Sequence, residues 1–236
     1  MNIALVLSGG TGTRLGGDIP KQYIRVKGRM LIAYCLDMFA AHKRVDGIWI
    51  VAAASRQDEI IKECGICGIR DDAILGFSLP GKTRQLSILN GLKDIDRYIK
   101  SMGGGTEEDP VVIIHDAARP NLTSAYLDRC LDAMEGFDGL MPALPMKDTV
   151  YYSTDGKKVG RLLDRSCIYA GQAPELYRLG PYLEANERLL PDEIQKINGS
   201  TEPAVLAGLK ITMIPGDENN YKITTKDDLE RFSVSL

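Results

Sequence analysis

The sequence predicts an α/β protein with a mostly parallel, Rossmann-like sheet, helices on both of its faces and a protruding β-hairpin arm. Short β-branched or apolar runs alternate with amphipathic helical patterns, which is typical of parallel strands joined by crossover helices. Val111–Ile114 is apolar on both faces, as expected for a strand covered by helices on each side. The turn signal Asp155-Gly156 interrupts the alternation and predicts the hairpin.

The first half of the chain supplies most of the alternating pattern. Strands are predicted at Ile3–Leu7, Gly47–Ala53, Ala73–Phe77 and Val111–Ile114, and helices at Met30–Ala41, Gln57–Cys64 and Arg84–Lys100. In the last of these helices, apolar residues recur every three or four positions and define one buried stripe. Ser101–Pro110 is a loop by composition. Because it joins a helix to a strand inside the pattern, we expect a single domain over residues 1–236.

The second half departs from the alternation. Thr149–Thr154 and Lys158–Leu163 flank the turn signal, so residues 149–165 are expected to form the arm. Ile211–Ile214 then predicts a further strand. Thr225 predicts the start of a final helix, because its hydroxyl can cap the helix and the aspartates that follow favour its positive end.

The composition disfavours several classes of function. The 29 basic and 32 acidic residues give a net charge of −3, whereas a nucleic-acid-binding surface needs a basic excess. No apolar run is long enough to cross a bilayer, and the first residues show no secretory pattern, so we expect a cytoplasmic protein without a membrane partner. An odd count of 5 cysteines then indicates reduced thiols.

A glycine-rich loop, Leu7-Ser-Gly-Gly-Thr-Gly-Thr-Arg-Leu-Gly16, directly follows the first predicted strand. Glycines let backbone N–H groups approach phosphate oxygens, and Arg14 and Lys21 add two cations, which together suit a nucleoside triphosphate. No Gly-Lys-Ser/Thr follows as in a Walker A loop, and Leu15 stands where the third glycine of a dinucleotide-binding fingerprint belongs. A glycine turn with solvated basic residues stays the simpler alternative.

With Pro20-Lys21-Gln22, this loop resembles the signature of sugar-nucleotide pyrophosphorylases and their relatives. Three further segments resemble the polyol-phosphate cytidylyltransferases within that group. They are Gly81-x-x-Arg84-x-x-Ser87 with Asn90-Gly91-Leu92, His115-Asp-Ala-Ala-Arg-Pro120 and Tyr221-Lys222-Ile-Thr-Thr. The resemblance runs almost from end to end, with the motifs in the expected order, and is strongest to the branch that acts in non-mevalonate isoprenoid biosynthesis.

The resemblance implies an enzyme of nucleotidyltransferase fold that joins CMP from CTP to a small polyol phosphate and releases pyrophosphate. It implies 2-C-methyl-D-erythritol 4-phosphate as the acceptor, with D-ribitol 5-phosphate as the alternative. It also implies a Mg²⁺ ion bound mainly through the CTP phosphates, and a homodimer. A non-catalytic nucleotide-binding module is disfavoured because Arg14, Lys21, Asp116 and Lys222 are all present.

The resemblance further implies a role for individual residues. Catalysis is expected of Arg14, Lys21, Arg165 and Lys222. Nucleotide binding is expected of Ser8, Gly9, Gly10, Gly81, Arg84, Ser87 and Ala117. Substrate binding is expected of Asp116, Arg119, Thr149 and Ser200, and no side chain is expected to ligate a metal. On the arm, Thr149 and Arg165 would reach into the partner subunit.

Simpler interpretations stay open for three of these residues. Asp116 could cap its strand or pair with Arg119, Arg165 could pair with Asp164, and Lys222 could be solvated. Three positions depart from the family pattern. They are Ser8 in place of the usual alanine, Lys82 where an acidic residue is frequent, and Ala173-Pro174-Glu175 in place of a Thr-Pro-Gln segment.

Overall fold

The computed structural model describes residues 1–10, 19–103 and 109–236. The strands in chain order are β1 (Asn2–Leu7), β2 (Arg25–Val26), β3 (Arg29–Met30), β4 (Gly47–Val51), β5 (Ile74–Ser78), β6 (Val111–Asp116), β7 (Gly139–Pro145), β8 (Val150–Tyr152), β9 (Arg161–Leu163), β10 (Tyr169–Gly171), β11 (Glu175–Arg178) and β12 (Ile211–Pro215). The α-helices are α1 (Leu31–Ala41), α2 (Ala54–Ile66), α3 (Arg84–Ser101), α4 (Ser124–Ala133), α5 (Leu179–Glu187), α6 (Glu202–Leu206) and α7 (Lys226–Ser235).

The central sheet has eight strands and is mostly parallel. One half has the order β5-β4-β1-β6, and every neighbouring pair in it is parallel. Beyond β6 comes the antiparallel β11, followed by β7, which is antiparallel to β11. Two antiparallel steps restore the original direction, so β7 and its parallel partner β12 run with β1. The predicted fold class is confirmed.

Helices cover both faces of this sheet, as β1 shows. Its side chains alternate: Ala4 and Val6 pack in a core with α1, α2 and α4, while Ile3 and Leu5 pack in a second core with α3 and α5. All four are at most 1% exposed. Because such a side chain has packing partners on every side, truncating Leu5 to alanine would cost about 2–5 kcal/mol of stability.

The carboxyl ends of four parallel strands meet at one edge of the sheet. Leu7 is in register with Val51 of β4 on one side and with Asp116 of β6 on the other. Ser78 ends β5 next to Val51. The segments that leave β1, β5 and β6 therefore emerge side by side, which is where open parallel sheets bind their ligands.

Three of the described α-helices, α3, α4 and α7, begin with a side-chain cap, and at α4 the Thr123 hydroxyl accepts from Tyr126 N–H. The Thr83 hydroxyl accepts from Leu86 N–H at the start of α3. At the start of α7, Thr225 accepts from Asp228 N–H, and the Asp228 carboxylate accepts from the Thr225 backbone in return. The helix start predicted at Thr225 is confirmed. The Thr225 hydroxyl and the Asp228 carboxylate each accept a hydrogen bond from a backbone N–H that has no partner within the helix.

The predicted hairpin is present as β8 and β9, with Val150 paired to Leu163. Its turn is longer than the predicted two residues, because the Asp155 carboxylate accepts from the N–H groups of Lys157 and Lys158 and holds an extended loop between the strands. The arm exposes apolar side chains, among them Leu162 at 62%. In the described part of the chain, no helix has both the length and the apolar character needed to cross a membrane.

Candidate active site

A cavity of about 360 Å³ opens at the carboxyl edge of the parallel strands. Its walls come from the end of β1, the glycine loop, the segment before α3, the end of β6 and the chain before α7. Among the residues with a predicted role, it is lined by Gly9, Gly10, Lys21, Gly81, Arg84, Ser87, Asp116 and Lys222. The sequence had placed these side chains in four separate motifs.

The start of the glycine loop is held by Gln22, which is 4% exposed and lies at the cavity wall. The Gln22 Nε2 donates to the carbonyl oxygens of Ser8 and Gly10, both at 2.7 Å. A Cβ added at Gly9 would lie 2.5 Å from the Pro80 Cβ, so only glycine permits this close approach. Gln22 belongs to the Pro-Lys-Gln motif, from which no role of its own was predicted.

Ser8 turns its polar groups into the protein. Its N–H donates to the Val51 carbonyl at 2.9 Å, and its hydroxyl donates to the Tyr23 hydroxyl, also at 2.9 Å. Burial raises the pKa of Tyr23, which keeps that partner protonated. Ser8 does not line the cavity. Its predicted contact with a nucleotide therefore stays a prediction.

The opposite wall is the turn that leads into α3. Gly81 N–H donates to the Ser87 hydroxyl at 3.0 Å, and that hydroxyl donates to the Thr83 carbonyl at 2.9 Å. A Cβ at Gly81 would lie 2.4 Å from the Leu86 Cβ. The glycine therefore lets the turn fold closely onto the first turn of the helix, whose N-terminal end favours negative charge.

At the end of β6, the Asp116 carboxylate is surrounded by three cations. Lys222 Nζ lies 3.0 Å from Oδ2, Arg84 Nη2 lies 3.3 Å from Oδ1, and Arg119 Nε lies 3.6 Å from Oδ2. Burial alone would raise the pKa of Asp116, but Arg84, Lys222 and Arg119 hold it well below its usual range. Asp116 is therefore ionised, and its pairing with Arg119 is one of three such contacts.

The cluster carries an excess of positive charge beside the glycine loop. Lys222, Arg84 and Arg119 face Asp116, and the Glu175 carboxylate lies 3.9 Å from Arg84. Lys21 adds a fourth positive charge, with its Nζ donating to the Ile223 carbonyl at 2.7 Å. Lys222 thus forms an ion pair with Asp116, while part of its side chain is exposed to solvent. An anionic ligand would restore the charge balance, and fixed cations stabilise charge that develops on phosphoryl oxygens.

Comparison with known proteins identifies the family. The family model for 2-C-methyl-D-erythritol 4-phosphate cytidylyltransferase matches residues 2–236. The chain belongs to this family. It is therefore a cytidylyltransferase that uses CTP in isoprenoid biosynthesis, and the resemblance inferred from the motifs is confirmed.

Individual members of the cytidylyltransferase family align along nearly the whole chain. The 2-C-methyl-D-erythritol 4-phosphate cytidylyltransferase of Rubrobacter xylanophilus is 35% identical, over 96% of this chain and 91% of the relative. That of Geotalea uraniireducens is 32% identical, over 96% and 92%. The crystal structure of the Francisella tularensis enzyme is similar with a TM-score of 0.80 and 25% identity, covering 100% of this chain and 99% of that one.

In this cytidylyltransferase, the turn after β6 is fixed by backbone and histidine contacts. Ala117 N–H donates to the Leu7 carbonyl, and Arg119 N–H donates to the Asp116 carbonyl. The His115 Nε2 lies 2.9 Å from the Arg119 carbonyl. Burial lowers the pKa of His115 to about 4, so the imidazole is neutral near pH 7 and Nε2 donates that hydrogen bond. His115 is thus packed and hydrogen-bonded at the end of β6.

Ser200 also reaches this cluster. Its buried hydroxyl accepts from Arg84 Nη1 at 2.6 Å and donates to Glu175 Oε1 at 2.6 Å. Ser200 is thus brought next to Arg84, while Glu175 was given no role in the sequence analysis. Ala173 is 2% exposed, and Lys82 is exposed at the rim of the cavity.

The predicted site residues of the arm lie elsewhere. Thr149 and Arg165 are exposed and do not line the cavity of their own chain. Arg165 Nη1 donates to the Lys147 carbonyl at 2.7 Å, while the neighbouring Asp164 accepts from Ser166. The catalytic role predicted for Arg14 falls on a residue outside the described part of the chain.

Proposed function

We propose that this chain transfers CMP from CTP to 2-C-methyl-D-erythritol 4-phosphate, giving 4-diphosphocytidyl-2-C-methyl-D-erythritol and pyrophosphate. The cluster of three cations around Asp116, open to the glycine-loop cavity, is the observation that carries the proposal. It offers positive charge for two phosphorylated substrates and one ionised acceptor for a hydroxyl. Membership of the family supplies the identity of the acceptor.

In the proposed reaction, a phosphate oxygen of the acceptor attacks the α-phosphorus of CTP. The bond from that phosphorus to the oxygen bridging it to the β-phosphate breaks, and pyrophosphate leaves. No general base is needed, because a phosphate monoester with a second pKa of about 6 is already ionised near neutral pH. Catalysis then depends on positioning and on cations that face the developing charge.

Each wall of the cavity receives a part of this reaction. We assign the nucleotide to Ser8, Gly9, Gly10, Gly81, Arg84, Ser87 and Ala117. We assign the triphosphate to Lys21 and Arg14, and the α-phosphate and the incoming phosphate to Lys222. Asp116 accepts a hydrogen bond from an acceptor hydroxyl, which its two oxygens can do because the neighbouring cations keep it ionised. Arg119 and Ser200 complete the acceptor side.

We assign the Mg²⁺ ion to the phosphate oxygens of CTP. Within residues 1–10, 19–103 and 109–236, no group of three or more His, Cys, Asp or Glu side chains is placed to hold a metal ion. Asp116 is the one carboxylate among the described residues that line the cavity, and both of its oxygens are already paired with cations. These residues do not form a metal site by themselves, and the roles given to the side chains above do not depend on one.

We further propose a homodimer of single-domain subunits, in which residues 149–165 form the dimerisation arm. Two observations support it. The arm exposes Tyr151 and Leu162, which are cross-strand partners and 56% and 62% exposed. Arg165 and Thr149 lie on the arm, apart from the cavity of their own chain, so they would act in the partner's site. A cytoplasmic location and the lack of a nucleic-acid or membrane partner stay predictions from composition.

Pyrophosphate release tests the proposed reaction. CTP would be supplied with either 2-C-methyl-D-erythritol 4-phosphate or D-ribitol 5-phosphate, under identical Mg²⁺, and the nucleotide product identified by mass. We expect the methylerythritol substrate to have the higher kcat/KM. The two acceptors differ by a methyl branch and one hydroxymethylene unit. A methyl-sized difference changes the free energy of transition-state binding by about 1–3 kcal/mol, so the ratio of the two kcat/KM values identifies the preferred acceptor. A higher kcat/KM for D-ribitol 5-phosphate would overturn the proposed identity of the acceptor. Absence of pyrophosphate release with both acceptors would overturn the proposed function.

A further inference from the structure

Next to Arg84, a buried group of polar side chains joins the start of α3 to β11. Glu175, the first residue of β11, lies at its centre and is 8% exposed. Its Oε1 accepts from the Ser200 hydroxyl at 2.6 Å, and its Oε2 accepts from the Tyr177 hydroxyl at 2.7 Å and from Thr201 Oγ1 at 3.2 Å. Every carboxylate oxygen of Glu175 therefore has a partner, although Glu175 does not line the cavity.

A continuous series of contacts leads from Glu175 to the cavity. The Ser200 hydroxyl that donates to Glu175 accepts from Arg84 Nη1 at 2.6 Å, and Glu175 Oε1 lies 3.9 Å from Arg84 Nη2. On its other side, Arg84 donates from Nε and Nη2 to Asp116 Oδ1, at 3.4 and 3.3 Å. The guanidinium is thus held between two carboxylates, and only Asp116 faces the cavity.

The direction of each hydrogen bond explains why Glu175 matters. A hydroxyl has one hydrogen, and Ser200 uses it towards Glu175, so its lone pairs are left to face Arg84. Without that acceptor the hydroxyl could rotate, and Arg84 would lose both a fixed partner and a nearby opposite charge. An arginine side chain has a large rotamer entropy, so it holds one position only when several of its guanidinium N–H groups have partners.

We propose that Glu175 is a positioning residue for the transfer reaction, fixing Arg84 through the Ser200 hydroxyl so that Asp116 is held in place for the acceptor. This inference rests on the proposed function, which puts the acceptor at Asp116. In the Thr-Pro-Gln segment of the family that this sequence resembles, glutamine stands at the position of Glu175, and its amide oxygen can also accept from Ser200. Accepting a hydrogen bond, more than carrying a charge, is therefore the property that Glu175 supplies.

A double-mutant cycle between Glu175→Ala and Arg84→Ala tests this link. Glu175→Ala lowers kcat/KM for the acceptor about tenfold, the size typical of coupling within one hydrogen-bond network, and raises KM for CTP by less, since Arg84 is also assigned to the nucleotide. The double variant is no worse than Arg84→Ala alone, because Glu175 acts through Arg84. A merely structural role would lower the melting temperature but would not produce this coupling.

Two further variants separate hydrogen bonding from charge and from general effects of substitution. Glu175→Gln retains an acceptor for Ser200 and keeps kcat/KM within about threefold of the wild type. Glu187→Gln, at the end of α5, removes the charge of an ion pair with Lys93 of α3 and keeps the wild-type value. If Glu175→Ala does not fold, Ser200→Ala replaces it in the cycle, since it breaks the same link.

The role of Glu175 would be overturned if the losses in kcat/KM of the two single variants multiplied in the double variant. It would also be overturned if Glu175→Gln were as impaired as Glu175→Ala at an equal melting temperature. A selective rise in KM for CTP would overturn it too. In each case an active wild type would leave the proposed function standing. A wild type that releases no pyrophosphate would overturn both.

Discussion

Lys222 Nζ lies 3.0 Å from Asp116 Oδ2, although 106 positions separate the two residues along the chain. The contact forms because the segment before α7 runs along the turn after β6, where Ile223 N–H donates to the Ala118 carbonyl at 2.8 Å. Lys21 reaches the same segment by donating to the Ile223 carbonyl. Three motifs that are remote in sequence are thereby tied to one short stretch of backbone.

This arrangement predicts a large kinetic effect for Asp116→Asn. The substitution keeps the shape of the side chain but removes the charge that orients Lys222, Arg84 and Arg119. We expect kcat/KM for the acceptor to fall about a hundredfold, since removing one preorganised contact at a reacting centre typically costs that much. Steady-state kinetics with each substrate varied in turn measures it. A loss confined to KM for CTP would contradict the placement of the acceptor at Asp116.

Lys21→Ala is predicted to lower kcat by about a hundredfold or more while weakening CTP binding far less, because the cation acts on charge that develops in the transition state. The same result is predicted for Arg14→Ala. Lys27→Ala, at an exposed turn between β2 and β3, is the matched control and should keep wild-type kcat. A Lys21→Ala enzyme with near-normal kcat would remove Lys21 from catalysis.

Gln22→Leu is predicted to raise KM for CTP about tenfold, because the carbonyl oxygens of Ser8 and Gly10, at the start of the glycine loop, lose the donor that fixes them. Binding of CTP followed by calorimetry checks this independently of turnover. Gln195→Leu removes a comparable amide-to-carbonyl contact on the surface and should change nothing. Normal CTP affinity in Gln22→Leu would show that the glycine loop does not need this support.

The parallel half of the sheet could be predicted from sequence, and the antiparallel insertion could not. The strands β1, β4 and β6 are continuous apolar runs because both of their faces are buried, and such runs stand out. β10 and β11 have only 3 and 4 residues, and glycine and proline lie beside them, so neither gives a periodic signal. The pairing of β11 between β6 and β7 is a tertiary contact that local pattern does not encode.

The candidate site divides in the same way. Lys21, Asp116 and Lys222 lie within recognisable motifs, and the structure brings them to one cavity. Gln22, at the cavity wall, and Glu175, behind it, act through hydrogen bonds to two backbone carbonyls and to Ser200, respectively. The hydrogen-bond partners of Gln22 and Glu175 are determined by packing between segments that are separate in sequence, so the folded structure is needed to identify them. The resemblance nevertheless contained a signal for each, in Pro-Lys-Gln and in the altered Thr-Pro-Gln segment.

His115 predicts how stability depends on pH. Its pKa is lowered to about 4 in the folded chain by burial, from an ordinary value of 6.5. Between these values the unfolded chain binds the proton and the folded chain does not, so stability falls as the pH drops from about 6.5 towards 4, by about 3 kcal/mol in total. His115→Gln, whose amide can replace Nε2 as donor to Arg119, should show a shallower decline. Denaturant unfolding across this pH range measures the slope, and equal slopes in the two proteins would contradict the prediction.

The last prediction concerns sites shared between subunits. Arg165 lies on the arm, and Lys222 lines the cavity, so in the proposed homodimer a complete site takes Arg165 from one chain and Lys222 from the other. Arg165→Ala and Lys222→Ala chains are each expected to be nearly inactive alone. Unfolding and refolding an equal mixture should restore about a quarter of wild-type activity, because half of the dimers are mixed and each mixed dimer has one intact site of two. As a control, Lys222→Ala chains mixed with chains that carry both substitutions should stay inactive, since Lys222 is then missing everywhere. Absence of recovery in mixed dimers verified by mass would place Arg165 in the site of its own chain or outside any site.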